Sequence, residues 1–69
     1  MAFILTARGE AEAQEVQDVK GPEGAVIVYL YEKKDPTEIE EIMSRTKMAE
    51  EKAVRVLTRL VNTGFIEEI

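Results

Sequence analysis

The chain has 69 residues, nine basic and fourteen acidic, for a formal net charge of −5, with neither cysteine nor histidine. A chain this short forms one small domain that buries only about 60% of its unfolded surface. Disulfide staples and the usual zinc ligands are both excluded. The longest apolar run, AVIVYLY, falls far short of the ~20 residues that span a bilayer. The N-terminal MAFILTARGE lacks the basic start and long apolar core of a signal peptide. These features lead us to expect a soluble cytoplasmic protein with no membrane association. The starting Met and the absence of a linker read as a complete small protein.

Taken in chain order, Phe3-Ile4-Leu5-Thr6 is a short apolar run and reads as a strand over 3–6. Thr6 can cap a helix over 7–19, rich in Ala, Glu and Gln. Gly9, Ala13 and Val16 give that helix only a thin stripe, so it needs a neighbour to be stable. The glycines and proline of VKGPEG mark a boundary. AVIVYLY is ambiguous: its Val and Ile favour a strand, and seven residues suit a buried one. Pro22 and Glu23 suit a helical first turn, and Lys33 and Lys34 a last one. The spacing of Val26 or Ile27 with Leu30 and Tyr31 is also helical, and we read a helix over 23–33.

Asp35-Pro36-Thr37-Glu38 has the form of an N-cap, a proline at the first helical position and a capping-box glutamate. It predicts a short helix from Pro36 to about Ser44, with Ile39, Ile42 and Met43 on the buried face. The region 49–62 has the strongest periodicity. Ala53, Val56, Leu57, Leu60 and Val61 fall within one wide arc at 100° per residue. Gly64 supplies the stop, and Phe65-Ile66-Glu67-Glu68-Ile69 reads as a strand.

Catalytic chemistry has few candidates. Ser44 is the only serine and has no histidine to activate it. Neighbouring carboxylates such as Glu40/Glu41 and Glu50/Glu51 point about 100° apart on a helix and do not converge. No catalytic residue, metal site or cofactor is expected, and the pattern argues against an enzyme.

Three helices, a short turn, then Gly-Phe-Ile and a strand: from Val26 onward this order resembles the winged helix-turn-helix domains of bacterial and archaeal transcription regulators. PTEIEEIM matches the second helix of that family, and AVRVLTRLVNTGFIEE the third helix and its exit, through Leu57, Leu60, Gly64, Phe65 and Ile66. The resemblance covers roughly 45 of the 69 residues. It implies a mainly α fold with a small β element, in which 23–63 is the tri-helical core and 64–69 the wing entry. Family members commonly continue into a second wing strand with a Leu-Thr-x-x-Gly turn. Here Leu5-Thr6-Ala7-Arg8-Gly9 stands at the opposite end, as though that segment had moved to the front. We therefore expect Phe3–Thr6 to pair with Phe65–Glu68 in a two-stranded sheet, covering an exposed strand edge.

Between Ser44 and Asn62 five basic residues stand against two acidic ones, a local charge of +3, while the rest of the chain carries −8. Opposite the apolar arc of the third helix lie Glu51, Lys52, Arg55, Thr58, Arg59 and Asn62. Lys, Arg, Thr and Asn supply the donors that phosphate and base contacts need. The resemblance then implies double-stranded DNA as partner. Lys52, Arg55 and Arg59 would meet the duplex, Thr58 and Glu51 would read bases, and Arg45 and Lys47 in the turn would touch phosphate. Glu50 and Glu51 equally suit a helix start, where carboxylates favour the positive end of the macrodipole. A homodimer through the N-terminal helix would double the contacts. The overall acidity and curtailed wing keep open the alternative of a protein-binding module without DNA.

Overall fold

The computed structural model describes residues 1–15 and 21–69, with the side chain of Glu15 left aside. Its organising element is β1 (Ala2–Leu5), which lies at the centre of a sheet rather than at its edge. On one side β1 pairs antiparallel with β3 (Ile66–Glu68), in the register Phe3 to Glu68, Ile4 to Glu67 and Leu5 to Ile66. On the other it pairs antiparallel with β2 (Thr37–Glu38), Phe3 facing Thr37. The expected pairing of the two ends is present, and the sheet has three strands in the order β2-β1-β3, not two.

Four helices complete the described fold: α1 (Ala7–Glu15), α2 (Gly21–Lys33), α3 (Ile39–Thr46) and α4 (Glu50–Asn62). AVIVYLY is helical, within α2, and buries Val26, Ile27 and Leu30. The C-terminal part of the helix expected over 7–19, including Val16, lies outside the described residues. Ala13 packs against the core.

The capping reading of Asp35–Glu38 is corrected. Thr37 and Glu38 are extended, and α3 begins only at Ile39, with Glu38 as an N-cap that makes no side-chain capping bond. Thr37 is 1% exposed, and its hydroxyl donates to the Asp35 carbonyl at 2.9 Å. Pairing with β1 takes up this stretch of backbone before the helix can.

The core joins sheet and helices through Phe3, Leu5, Val26, Ile27, Leu30, Ile42, Val56, Leu57, Leu60 and Ile66. Burying each large side chain contributes about 1.5–3 kcal/mol. Val61, expected in the buried arc, is instead 37% exposed at its margin.

Gly64, at φ 82°, ends α4 as expected. Its N–H donates to the Val61 carbonyl and that of Phe65 to Leu60, both at 3.0 Å, the bond pattern of a Schellman stop. Onto this stop the start of α1 is locked. The Thr6 hydroxyl donates to the Gly64 carbonyl at 2.6 Å and accepts the Gly9 N–H at 3.1 Å, while the Thr6 N–H donates to the Phe65 carbonyl at 3.0 Å. Gly9 faces that same carbonyl so closely that a Cβ there would lie 2.1 Å from it. The spacing of Thr6 and Gly9 thus has a packing cause: one caps and ties, the other lets backbone approach backbone.

Candidate nucleic-acid interface

Helix α4 buries Ala53, Val56, Leu57 and Leu60, which leaves the opposite side of the helix to solvent. Glu51, Lys52, Arg55, Thr58, Arg59 and Asn62 are all exposed there. Spacing at 100° per residue sorts them into lanes. Glu51, Arg55, Thr58 and Asn62 form the outermost lane. Lys52 and Arg59 flank it on the side of α2, and Val54 and Val61 on the side of the sheet.

On the α2 side, Lys52, Arg55 and Arg59 line a notch with Pro22, Glu23 and Val56. Arg59 is engaged there: its Nη1 donates to Glu23 Oε1 at 2.8 Å. On the sheet side, Val54 (48% exposed) and Val61 line a groove of about 240 Å³ with Met1, Phe3, Ile39 and Leu57. Thr58, Asn62 and Glu68 also reach this groove. The sequence-predicted residues of α4 therefore share one exposed face, on which Lys52, Arg55 and Arg59 look into one concavity, Thr58 into the other and Glu51 into neither.

Arg45 and Lys47 sit apart from these. Arg45 belongs to the last turn of α3 rather than to the turn that follows. Its guanidinium stacks over the Tyr29 ring, 5.5 Å from the centroid, a cation–π contact. Lys47 ends α3 in the left-handed region, φ 58°, with its N–H donating to the Met43 carbonyl. Both line an open cleft between α2 and the end of α3, with Val28, Tyr29 and Ser44 among its walls.

Tyr29 connects this cleft to a charged cluster that sequence reasoning missed. Its hydroxyl donates to Glu41, which also accepts from Lys33 Nζ at 2.6 Å. The hydrogen bond from Lys33, then that from Tyr29, holds the Glu41 carboxyl below its ordinary range. The bond to Glu41 in turn pushes Lys33 and Tyr29 up. No family model matches the chain, nor does any curated protein or solved structure.

The exposed α4 face is rich in hydrogen-bond donors. Among the described residues no three carboxylates gather in a way that could hold a metal ion. No described helix is long and apolar enough to cross a membrane. Guanidinium, ammonium, hydroxyl and amide groups along one helix face can bind an anionic, hydrogen-bonding surface. Two features of the face escaped the sequence reading, one with a signal that could have found it and one without. The spacing of Val54 and Val61, seven residues apart, could have revealed the apolar lane. The Glu23–Arg59 pair spans 36 positions and carried no local signal.

Proposed function

We propose that this chain is a winged helix-turn-helix module that binds double-stranded DNA with α4 in the major groove, as a small transcription regulator does. The observation that carries the reading is the exposed face of α4. It holds Lys52, Arg55, Thr58, Arg59 and Asn62 on a helix whose other side is fully used by the core. Arg and Lys contact phosphate and guanine, while Thr and Asn serve bases or backbone. Arg45 and Lys47, at the end of α3 and in the turn after it, would offer phosphate contacts separate from the α4 face.

The sheet supports the same reading. In the resemblance a second wing strand lies antiparallel to the strand that leaves the recognition helix. β1 takes that position beside β3, and its Thr6 and Gly9 make the turn into α1. The wing is thereby assembled from the two ends of the chain. Glu67 and Glu68 stand where a basic wing would approach phosphate, so contact must come chiefly from α4 and the α2 side. One protomer measures 28 × 24 × 21 Å. Two copies joined through α1 could set their α4 helices one DNA turn, about 34 Å, apart.

The test is titration with mixed-sequence duplex DNA at two salt concentrations. Each phosphate neutralised contributes a slope of about −0.9 in log K against log salt. Arg55→Ala combined with Arg59→Ala should abolish binding in a chain that still folds, because losing the Arg59–Glu23 pair costs at most about 1 kcal/mol, or no more than about 8 °C in melting temperature. Absence of any salt-dependent binding by the wild-type chain at ~50 mM salt sinks the reading. The apolar groove beside Val54 and Val61 favours a second reading, a protein-binding winged helix. Its affinity would vary little with salt.

A further inference from the structure

The notch between α2 and α4 gathers three cations, Lys52, Arg55 and Arg59, around one carboxylate, Glu23. Glu23 is the more sheltered partner, its side chain 30% exposed against 65% for Arg59. The carboxylate reaches Arg59 from the first turn of α2, and the guanidinium stays open to an approaching anion. A guanidinium carries five N–H donors in a planar fork suited to carboxylate and phosphate alike. The 2.8 Å contact at Nη1 fills one place that a phosphate oxygen would otherwise take.

We propose that Glu23 is an intramolecular stand-in for a DNA phosphate, a latch that a bound duplex must displace from Arg59. This rests on the duplex-binding reading and sharpens it by naming a residue that opposes binding. Lys52 and Arg55 do not share the latch contact, and they supply the charge that lets a phosphate compete with it. The latch lowers affinity for every duplex that uses Arg59, and so holds down non-specific binding by a chain whose task is to discriminate. Opening it requires only rotation of two surface side chains, because neither belongs to the core.

A double-mutant cycle on the full chain tests this, with a fluorescent mixed-sequence duplex as probe. The variants are Glu23→Gln, Arg59→Gln and the two combined, each checked by circular dichroism for an unchanged fold. Glu23→Gln should tighten binding about threefold to fivefold, the range an exposed ion pair allows. In the Arg59→Gln background the same change should have less than half that effect. Equal factors in both backgrounds would mean that Glu23 acts only as a general negative charge, and the latch is then wrong although DNA binding stands. If no variant binds at ~50 mM salt, the duplex reading and the latch fall together.

Discussion

Replacing Gly9 by alanine sets two well-defined effects against each other. In an exposed helix interior the change stabilises, by about 1 kcal/mol in helix propensity. Here the new methyl would lie 2.1 Å from the Phe65 carbonyl oxygen and 2.7 Å from Leu5 Cδ2. Neither can withdraw freely. The carbonyl accepts the Thr6 N–H, and Leu5 is part of the core. Relief requires α1 to move away from the turn at 64–65. That movement weakens the Thr6 cap, itself worth about 1 kcal/mol, and adds an overpacking term of about 1–3 kcal/mol. The net expectation is a loss of about 2 kcal/mol, which in a domain of this size lowers the melting temperature by roughly 8–16 °C. Thermal unfolding followed by circular dichroism at 222 nm measures it directly. A Gly9→Ala chain that melts at or above the wild-type temperature would refute the close approach of α1 to the α4 stop.

Thr6→Ala removes the hydroxyl that accepts from Gly9 and donates to Gly64; about 1–2 kcal/mol of stability should go with it, and Thr6→Ser should restore most of the loss in urea titration. Glu41 titrates below its ordinary value of 4.5 in the fold, so its contribution is present above that pH and fades as pH falls through the folded value. Lys33 and Tyr29 are raised above 10.5 and 10.0, so theirs is present below those values and fades as pH rises through the folded ones. Glu41→Gln should therefore flatten the acid limb of the melting temperature against pH, and superimposable acid limbs would contradict the cluster. Joining Ile69 to Met1 through a short glycine linker should raise stability by at most about 4 kcal/mol, since the Ile69 N–H already donates to the Ala2 carbonyl at 2.8 Å. A destabilised circular product would mean that the two ends do not meet in solution.

Features set by local pattern were legible in the residues. The apolar stripe of α4 and its glycine stop follow from spacing within a few turns, while AVIVYLY was ambiguous in itself and read as helix only with Pro22, Glu23, Lys33 and Lys34 at its ends. The pairing of the two ends, expected as Phe3–Thr6 with Phe65–Glu68 from the displaced Leu-Thr-x-x-Gly segment of the resemblance, is present as Phe3–Leu5 with Ile66–Glu68. β2 was not expected. Asp-Pro-Thr-Glu satisfies every local rule for a helix start, and only the arrival of β1 from the far end of the chain makes Thr37 a strand residue. Val61 was misplaced because a periodic arc has no sharp edge. Spacing alone cannot say where the neighbouring sheet stops covering the helix. For the candidate site, exposure of the α4 face was legible, but its division into a basic notch and an apolar groove depends on α2 and the sheet. Arg59 drew its partner from another helix, which no window along the sequence contains.

A central strand taken from the first residues also constrains the order in which the molecule can assemble. β1 holds the sheet together, yet both its neighbours lie far along the chain. Closing a loop of roughly 60 residues costs about 3.6 kcal/mol in the length-dependent part of the chain entropy alone. Helices α2, α3 and α4 can gather around Leu30, Ile42 and Leu57 through nearer contacts, so they should form before β1 docks. During synthesis β1 can meet Thr37 and Glu38 before Ile66 is made, so it gains its two neighbours in turn. Until then the β3 side of β1 stays an open apolar edge, and the β1–β3 pairing is the last part of the sheet to close.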